Sequence, residues 1–225
     1  MSKQSDRFQR APDRYAQFRP RYPDAIVRRV AERLATAPVD PALPVLDVGS
    51  GTGIFTRQMA AALPAGMPVL GIEPSQRMRE QAMAQPDIPS ISYRDGNAER
   101  LPITDGAARG VLAATAAHWF DRPPFYREAS RVLPPGGVLA IVEYVRDESS
   151  PAARAVIDFL ARHGEARAYS RPDYAGELGA LPDFGEFWEI RETATFRLSL
   201  AEFAGLALSS SHARKIVEAM GRDRS

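Results

Sequence analysis

Short apolar runs alternate with amphipathic stretches through the middle of this chain. Runs of strand length lie at residues 45–48, 69–72, 91–94, 110–114 and 138–145. Between them, apolar residues recur at helical intervals in residues 54–63, 76–84 and 124–132, and Ser75 is expected to cap the second of these helices. This alternation predicts a mostly parallel, doubly wound Rossmann-like α/β sheet with helices on both faces. The last run is the most apolar, so we expect it at the centre of the sheet.

Further elements are predicted on both sides of this alternation. Before it, residues 6–21 are basic and aromatic with helical spacing, and residues 24–34 form a helix capped by Asp24. After it, the pattern predicts a helix at 151–162, a loop or short helix at 163–185 and a strand at 187–198. Two further helices are predicted at 199–206, beginning with a cap at Ser199, and at 212–220.

Composition excludes several classes of protein. The 225 residues are 44% hydrophobic and 25% charged, as in ordinary globular proteins. A net charge of +1 offers no electrostatic basis for nucleic acid or an anionic membrane as the main partner. Cysteine is absent and the three histidines lack metal-ligand spacing, so we expect no disulfide and no metal site. No apolar signal segment or spanning segment is present, which predicts a cytoplasmic protein.

A glycine-rich turn joins the first predicted strand to the following helix. Gly49, Gly51 and Gly53 alternate with Ser50 and Thr52, either of which is expected to cap the helix. Strand, glycine turn and helix together place a nucleotide-like ligand over the end of the strand, close to the backbone. The spacing is G-x-G-x-G, which differs from the dinucleotide motif G-x-G-x-x-G/A and from the phosphate-binding loop.

Two acidic residues at strand ends narrow the choice of ligand. Asp47 precedes the glycines, where it would repel a pyrophosphate but can hold an ammonium group. Glu73 ends the second strand about twenty residues further on, where nucleotide-binding α/β folds hydrogen-bond the ribose hydroxyls. Two plainer interpretations stay open: a glycine turn that only allows close packing, and a solvated acid at Glu73.

Five segments in this order resemble class I S-adenosylmethionine-dependent methyltransferases: VLDVGSGTGIFT, GIEPSQRM, GNAERLP, AHWFD and REASRVLPPGGVLAI. FRPRYP and AHWFD resemble the small-molecule branch with a methyltransferase type 11 domain, which includes trans-aconitate methyltransferase-like and UbiE-like enzymes. The resemblance extends from about Phe8 to Met220. It implies methyl transfer from S-adenosylmethionine to a small-molecule acceptor, at the oxygen of a carboxylate, phenol or alcohol, by a monomer or homodimer.

The resemblance also implies which residues bind the cofactor and the acceptor. The cofactor-binding set is Asp47, Gly49, Ser50, Gly51 and Gly53 at the methionine part, Glu73 at the ribose, Pro74, Met78, Asn97 and Ala98 at the adenine, and Thr115 beside the sulfonium. The acceptor-binding set is Tyr15 and Arg19 in an N-terminal lid, Trp119, and Tyr169 and Arg171 in a later insert. Family members usually have Asp at position 97, so the contact of Asn97 with the adenine amino group stays open.

His118 follows the fourth strand and is the candidate catalytic base for a phenol or alcohol acceptor. A carboxylate acceptor would need no base, and a structural role beside Trp119 is the alternative for this histidine. Two other functions stay open: a protein that binds S-adenosylmethionine without methylating, and a NAD-dependent oxidoreductase. The glycine spacing and Asp47 argue against the latter.

We expect a single domain in three parts: the helical lid at 1–40, the cofactor-binding core at 41–145, and a substrate-side insert with the C-terminal part at 146–225. The family's sheet normally closes with a last antiparallel strand after the final helix, and this sequence stops at Ser225 directly after that helix. The last strand is therefore expected to be missing, so that the sequence is truncated or a partner covers the unpaired edge of the sheet.

Overall fold

The computed structural model describes residues 21–145, 147, 149–163, 172–208, 213 and 216. These residues group into two compact units. The first contains residues 21–143 and 172–194, and the second contains the remaining described residues. The domain boundaries expected at residues 40 and 145 remain predictions.

The first unit is built around a parallel sheet. Its elements in chain order are α1 (Asp24–Thr36), β1 (Val45–Val48), α2 (Ile54–Ala62), β2 (Val69–Ile72), α3 (Gln76–Met83), β3 (Ile91–Arg94), β4 (Gly110–Ala114), a 3₁₀ turn (Ala117–Trp119), α4 (Arg122–Val132), β5 (Val138–Val142) and α6 (Tyr174–Gly179). Within the described residues the sheet has five strands in the order β3-β2-β1-β4-β5, and every pairing is parallel. The predicted α/β fold is confirmed.

Both faces of the sheet are buried under helices, because successive residues of each strand point to opposite sides. On one face, Leu46 and Val111 pack with Phe125 and Val132 of α4. On the other face, α1 and α2 cover a second cluster. Its members include Leu34, Val45, Phe55, Met59, Val69 and Leu112. Burial on both sides explains why β1, β2, β4 and β5 are nearly continuous apolar runs, whereas the edge strand β3 alternates.

The central position expected for the last apolar run is wrong. β5 pairs with β4 and lies at the edge of the described sheet. It is apolar because both of its faces are still covered, with Ile141 against one cluster and Val142 in the other. The strand also ends at Val142, three residues earlier than predicted, and Val145 is 68% exposed.

The strand predicted at 187–198 is also wrong. Residues 186–199 form neither helix nor strand, and most of their side chains are exposed, including Phe187 and Phe196. A segment with alternating apolar and polar residues forms a strand only where a neighbouring strand supplies hydrogen-bond partners. Among the described residues, no antiparallel strand pairs with β5.

Two predicted helix caps also differ from the structure. Pro23 is the N-cap of α1, and Asp24 lies inside the first turn, where its charge is favourable to the helix dipole. Gly53 is the N-cap of α2, without the side-chain cap expected from Ser50 or Thr52. By contrast, the cap predicted for α3 is confirmed, since Ser75 accepts a hydrogen bond from the Met78 N–H.

The second unit contains α5 (Pro151–His163) and α7 (Leu200–Leu208). Val156, Leu160 and Ala207 form a small apolar cluster within it. Ser199 and Glu202 exchange hydrogen bonds in a capping box at the start of α7, as the sequence predicted for this helix. The helices predicted at 6–21 and 212–220 lie almost wholly outside the described residues. None of the helices that the structure describes has the length and apolar character needed to cross a membrane.

Candidate functional site

The strand order places the candidate site between β1 and β4. From β1 the chain moves to β2 and β3 on one side, and β4 then lies on the other side of β1. Such a reversal opens a crevice at the carboxyl ends of the two strands, which is where open α/β sheets bind ligands. The glycine turn follows β1 at this crevice, and Thr115 and His118 follow β4.

The glycine turn adopts a backbone that side chains would disfavour. Gly49, Gly51 and Gly53 all have positive φ angles, of 71°, 55° and 75°. A Cβ at Gly49 would lie 2.8 Å from the Cβ of Ala116, so the turn packs directly on the segment after β4. A Cβ at Gly51 would meet no atom within 4 Å, so the backbone is open to approach there.

Asp47 is a buried carboxylate with one oxygen engaged. Its side chain is 1% exposed, and Oδ2 accepts a hydrogen bond of 2.6 Å from Oγ1 of Thr56 on α2. Oδ1 is also buried and accepts no hydrogen bond from any described residue. Burial raises the pKa of Asp47 from 3.8 to about 6, the Thr56 hydrogen bond opposes this rise, and the charge of Glu73 adds to it. A cationic ligand at Oδ1 would satisfy both the hydrogen bond and the charge.

Glu73 ties the glycine turn to the start of α3. One carboxylate oxygen accepts the Gly51 N–H at 3.0 Å, and the other accepts the Ser75 N–H at 2.8 Å. Burial raises the pKa of Glu73, and these two N–H groups oppose that rise. The solvated-loop interpretation is therefore wrong, because the side chain is 8% exposed. Each carboxylate oxygen can accept a second hydrogen bond, so the residue fits a ligand with two adjacent hydroxyls.

Tyr93 on β3 supports the glycine turn from behind, which the sequence did not reveal. A Cβ at Gly71 would lie 2.5 Å from the Tyr93 ring and 2.8 Å from Oγ of Ser50. A Cβ at Gly53 would collide with the Tyr93 hydroxyl. Glycine at both positions therefore makes room for this aromatic ring. Ser50 and Thr52 are themselves buried behind the turn, at 9% and 3% exposure.

The residues predicted for the adenine differ in how much surface they offer. Pro74 and Asn97 are exposed, and Asn97 forms an isolated bridge with Arg100. Met78 and Ala98 are each 3% exposed, so other protein groups already cover most of their surface. Pro74 and Asn97 are therefore better placed than Met78 to contact a ligand.

A residue missed by the sequence reasoning reaches the end of β4. The Tyr22 hydroxyl donates a hydrogen bond of 2.9 Å to Oγ1 of Thr115. The backbone N–H and C=O of Tyr22 both bond to the side chain of the buried Gln58. Thr115 has a φ of 50°, a left-handed backbone that is uncommon outside glycine. Tyr22 lies in the FRPRYP segment, and the resemblance of that segment to the family could have identified this residue.

His118 lies beside a second missed residue, Glu143. Nδ1 of His118 is 3.4 Å from Oε1 of Glu143, and the two side chains are 17% and 10% exposed. The ring also lies against Trp119, with centroids 4.9 Å apart. Glu143 directly follows β5, so the rule that drew attention to Glu73, an acid at a strand end, could have found it. Since a carboxylate only accepts hydrogen bonds, this contact requires the proton on Nδ1.

Comparison with known proteins agrees with this geometry. A family model described as a methyltransferase domain matches residues 46–141. The O-methyltransferase resE of Aspergillus sclerotiorum is 31% identical over 205 residues, which is 87% of this chain and 74% of that protein. The chain belongs to the class I S-adenosylmethionine-dependent methyltransferases.

Other methyltransferases are similar to this one over different lengths. The trans-aconitate 2-methyltransferase of Deinococcus radiodurans is 33% identical over 131 residues, or 58% of this chain and 47% of that protein. A solved structure of a suspected type II methyltransferase from Anaeromyxobacter dehalogenans has a TM-score of 0.64 and 28% identity, covering 91% of this chain and 83% of that one. The match spans only 51–57% of the length of the first curated relatives.

In this methyltransferase the predicted residues separate into three groups. Glu73 is hydrogen-bonded to the glycine turn, Asp47 lies directly before that turn with its hydrogen bond to Thr56, and Thr115 and His118 follow the adjacent β4. Pro74, Asn97 and Trp119 lie on neighbouring segments of the same unit. Tyr15, Arg19, Tyr169 and Arg171 lie outside the described residues. The described part of the chain contains no cluster of three or more histidine, aspartate or glutamate side chains that could hold a metal ion.

Proposed function

We propose that this chain binds S-adenosylmethionine and transfers its methyl group to an oxygen atom of a small-molecule acceptor. The observation that carries the proposal is Asp47, a buried carboxylate with one oxygen lacking a partner among the described residues, directly before an open glycine turn. Burying such a group costs free energy unless a partner is supplied. The ammonium group of the cofactor's methionine part is a partner of the right charge.

The other residues fit the remainder of the cofactor. Glu73 has acceptor capacity for two ribose hydroxyls while it holds the Gly51 N–H. The carboxylate pair Asp47 and Glu73 favours a cationic ligand over a pyrophosphate, which supports S-adenosylmethionine over a nicotinamide dinucleotide. When bound, S-adenosylmethionine supplies a methyl group on a positively charged sulfur.

The protein's contribution to such a transfer is mainly orientation and exclusion of water. Holding two reactants at near-attack distance is worth up to about 7–11 kcal/mol in well-oriented cases. The hydrogen bond of 2.9 Å between Tyr22 and Thr115 holds both side chains in place at the end of β4, beside the proposed site. The matches to an O-methyltransferase and to a trans-aconitate methyltransferase support oxygen as the methylated atom and a small molecule as the acceptor.

The proposal is tested by calorimetric titration with S-adenosylmethionine, S-adenosylhomocysteine and NAD, followed by a search for methylated product. We expect binding of the two sulfur compounds and none of NAD. Asp47→Asn should weaken S-adenosylmethionine binding about 10- to 100-fold, since a hydrogen bond to a charged group is worth about 1.5–3 kcal/mol. Thr56 keeps its acceptor in this variant, so the loss reports the charge.

The matched control is Asp87→Asn, a change of the same chemistry at an exposed position. It should bind the cofactor as the wild type does. Binding of NAD in place of S-adenosylmethionine would refute the proposal. Cofactor binding without product from any small molecule would instead favour a protein that binds S-adenosylmethionine without methylating.

A further inference from the structure

We infer that the acceptor is a neutral hydroxyl compound, a phenol or an alcohol, which His118 deprotonates while Glu143 positions the imidazole ring. This inference rests on the proposed function, because it names the acceptor class of the same site. Two kinds of oxygen acceptor are possible, a carboxylate and a hydroxyl. The contact between His118 and Glu143 favours the hydroxyl.

Glu143 determines which nitrogen of His118 carries the proton. Glu143 Oε1 lies 3.4 Å from Nδ1, and a carboxylate can only accept, so Nδ1 carries the proton. In the neutral imidazole, Nε2 is then the nitrogen that can take a proton. A base oriented by a neighbouring carboxylate is the arrangement that general-base catalysis uses.

The pair lies at the carboxyl ends of β4 and β5. Glu143 directly follows β5 and is at the level of Thr115, whose N–H bonds to the Val142 carbonyl at 2.7 Å. His118 follows Thr115 by three positions in a 3₁₀ turn, of which Ala117 is buried. The pair therefore lies at the carboxyl edge where the acceptor must approach.

Charge at this edge of the sheet also favours a neutral acceptor. The acids among the described residues at positions 115–121 and 143–145 are Asp121 and Glu143. Arg122, which follows Asp121, is held in a bidentate ion pair with Glu177. A carboxylate acceptor beside His118 would meet the charge of Glu143, whereas a neutral hydroxyl would not be repelled. A carboxylate would also make no use of a base.

The reaction balances with these groups. The acceptor oxygen forms a bond to the methyl carbon, and the carbon–sulfur bond breaks with its electron pair remaining on sulfur. The hydroxyl proton passes to Nε2 of His118, and the positive charge on the imidazole is balanced by the Glu143 carboxylate. The proton then leaves to water, which restores the neutral ring.

The orientation by Glu143 is tested without an acceptor, by the ¹⁵N chemical shifts of the histidine rings at neutral pH. The sequence has three histidines, and the His118→Asn variant assigns the signal of interest. We expect the Nδ1–H tautomer in the wild type and in Glu143→Gln, whose amide oxygen still accepts. Glu143→Leu should switch the ring to the Nε2–H tautomer. An unchanged tautomer in Glu143→Leu would overturn the positioning role.

The acceptor class is tested by S-adenosylhomocysteine release with matched pairs of phenols or alcohols and carboxylic acids. We expect turnover of the hydroxyl compounds, lowered about 10²–10⁴-fold in kcat by His118→Asn. Glu143→Leu should lower kcat at least about 10-fold with little change in KM, and Glu143→Gln should restore part of that loss. Cofactor binding by the Glu143 variants serves as the control for folding.

The possible failures are distinguishable. Preferred methylation of carboxylic acids, or a kcat that His118→Asn leaves unchanged, overturns this inference while the proposed function stands. Absence of S-adenosylmethionine binding in the wild type overturns the proposed function itself.

Discussion

Replacing Asp47 by Asn should make the cofactor-free protein more stable at neutral pH while it weakens cofactor binding. The native carboxylate is buried, its Oδ1 has no partner among the described residues, and Oδ2 is held by Thr56. Asparagine has nearly the same shape and offers its oxygen to the same hydroxyl, but it carries no charge. The substitution therefore removes the cost of burying an ion.

The size of the effect follows from the pKa of Asp47, which burial raises from 3.8 to about 6. Each pH unit is worth about 1.4 kcal/mol, so ionised Asp47 destabilises the fold by about 3 kcal/mol above pH 6. Because the folded pKa is the higher one, the stability from this group is fully present below pH 3.8 and is lost as pH rises through 6. The new amide N–H groups need partners of their own, so we expect a net gain of about 1–3 kcal/mol.

The assay is urea unfolding of the cofactor-free protein at several pH values between 4.5 and 8. The stability gain of Asp47→Asn over the wild type should be greatest above pH 6 and should shrink toward pH 4.5. Asp87→Asn, at an exposed position, is the control and should follow the wild type. A variant that is no more stable than the wild type at pH 7.5, or a gain that does not depend on pH, would refute the reasoning.

Two further predictions concern residues that support the site. Arg109 is 2% exposed and donates hydrogen bonds to the carbonyls of Leu34, Ala35 and Ala37 at the end of α1. Arg109→Met should therefore lower the free energy of unfolding in urea by at least about 3 kcal/mol. The exposed Arg29→Met is the control and should change little, and equal effects of the two substitutions would contradict this role. Gly49→Ala should lower thermal stability more than Gly66→Ala and should abolish cofactor binding. Both residues have positive φ, but of the two only Gly49 would place a new Cβ against another atom, the Cβ of Ala116. Gly66→Ala should therefore cost only about 1 kcal/mol of stability. Equal losses of stability in the two variants would show that the contact with Ala116 is unimportant.

Local sequence signals were sufficient for much of the core. The first four strands begin and end at the predicted residues because β1, β2 and β4 are apolar runs, β3 alternates, and all are bounded by turn-forming residues. The glycine turn, Asp47 and Glu73 were found because their places relative to the strands are a short-range property. Ser75 and Ser199 cap their helices as expected, since a cap involves only neighbouring residues.

Predictions were wrong where the structure of a segment depends on a partner that is distant in the sequence. The alternation in residues 187–198 satisfies the local requirement for a strand, but no neighbouring strand pairs with it in the described part of the chain. The apolar run of β5 showed that the strand is covered on two faces, which does not determine whether it is central or at the edge. The position in a sheet depends on the order in which strands pair.

The sequence by itself determined the fold class, the family and the places of Asp47 and Glu73 at strand ends, because these depend on patterns within about thirty residues. Only the tertiary structure showed that Tyr22 reaches Thr115 across 93 residues and that Glu143 lies beside His118 across 25. It also showed that one oxygen of Asp47 is hydrogen-bonded and that the other has no partner among the described residues. Partners, burial and charge balance arise when separate segments meet, so a one-dimensional pattern contains no information about which buried group lacks a partner.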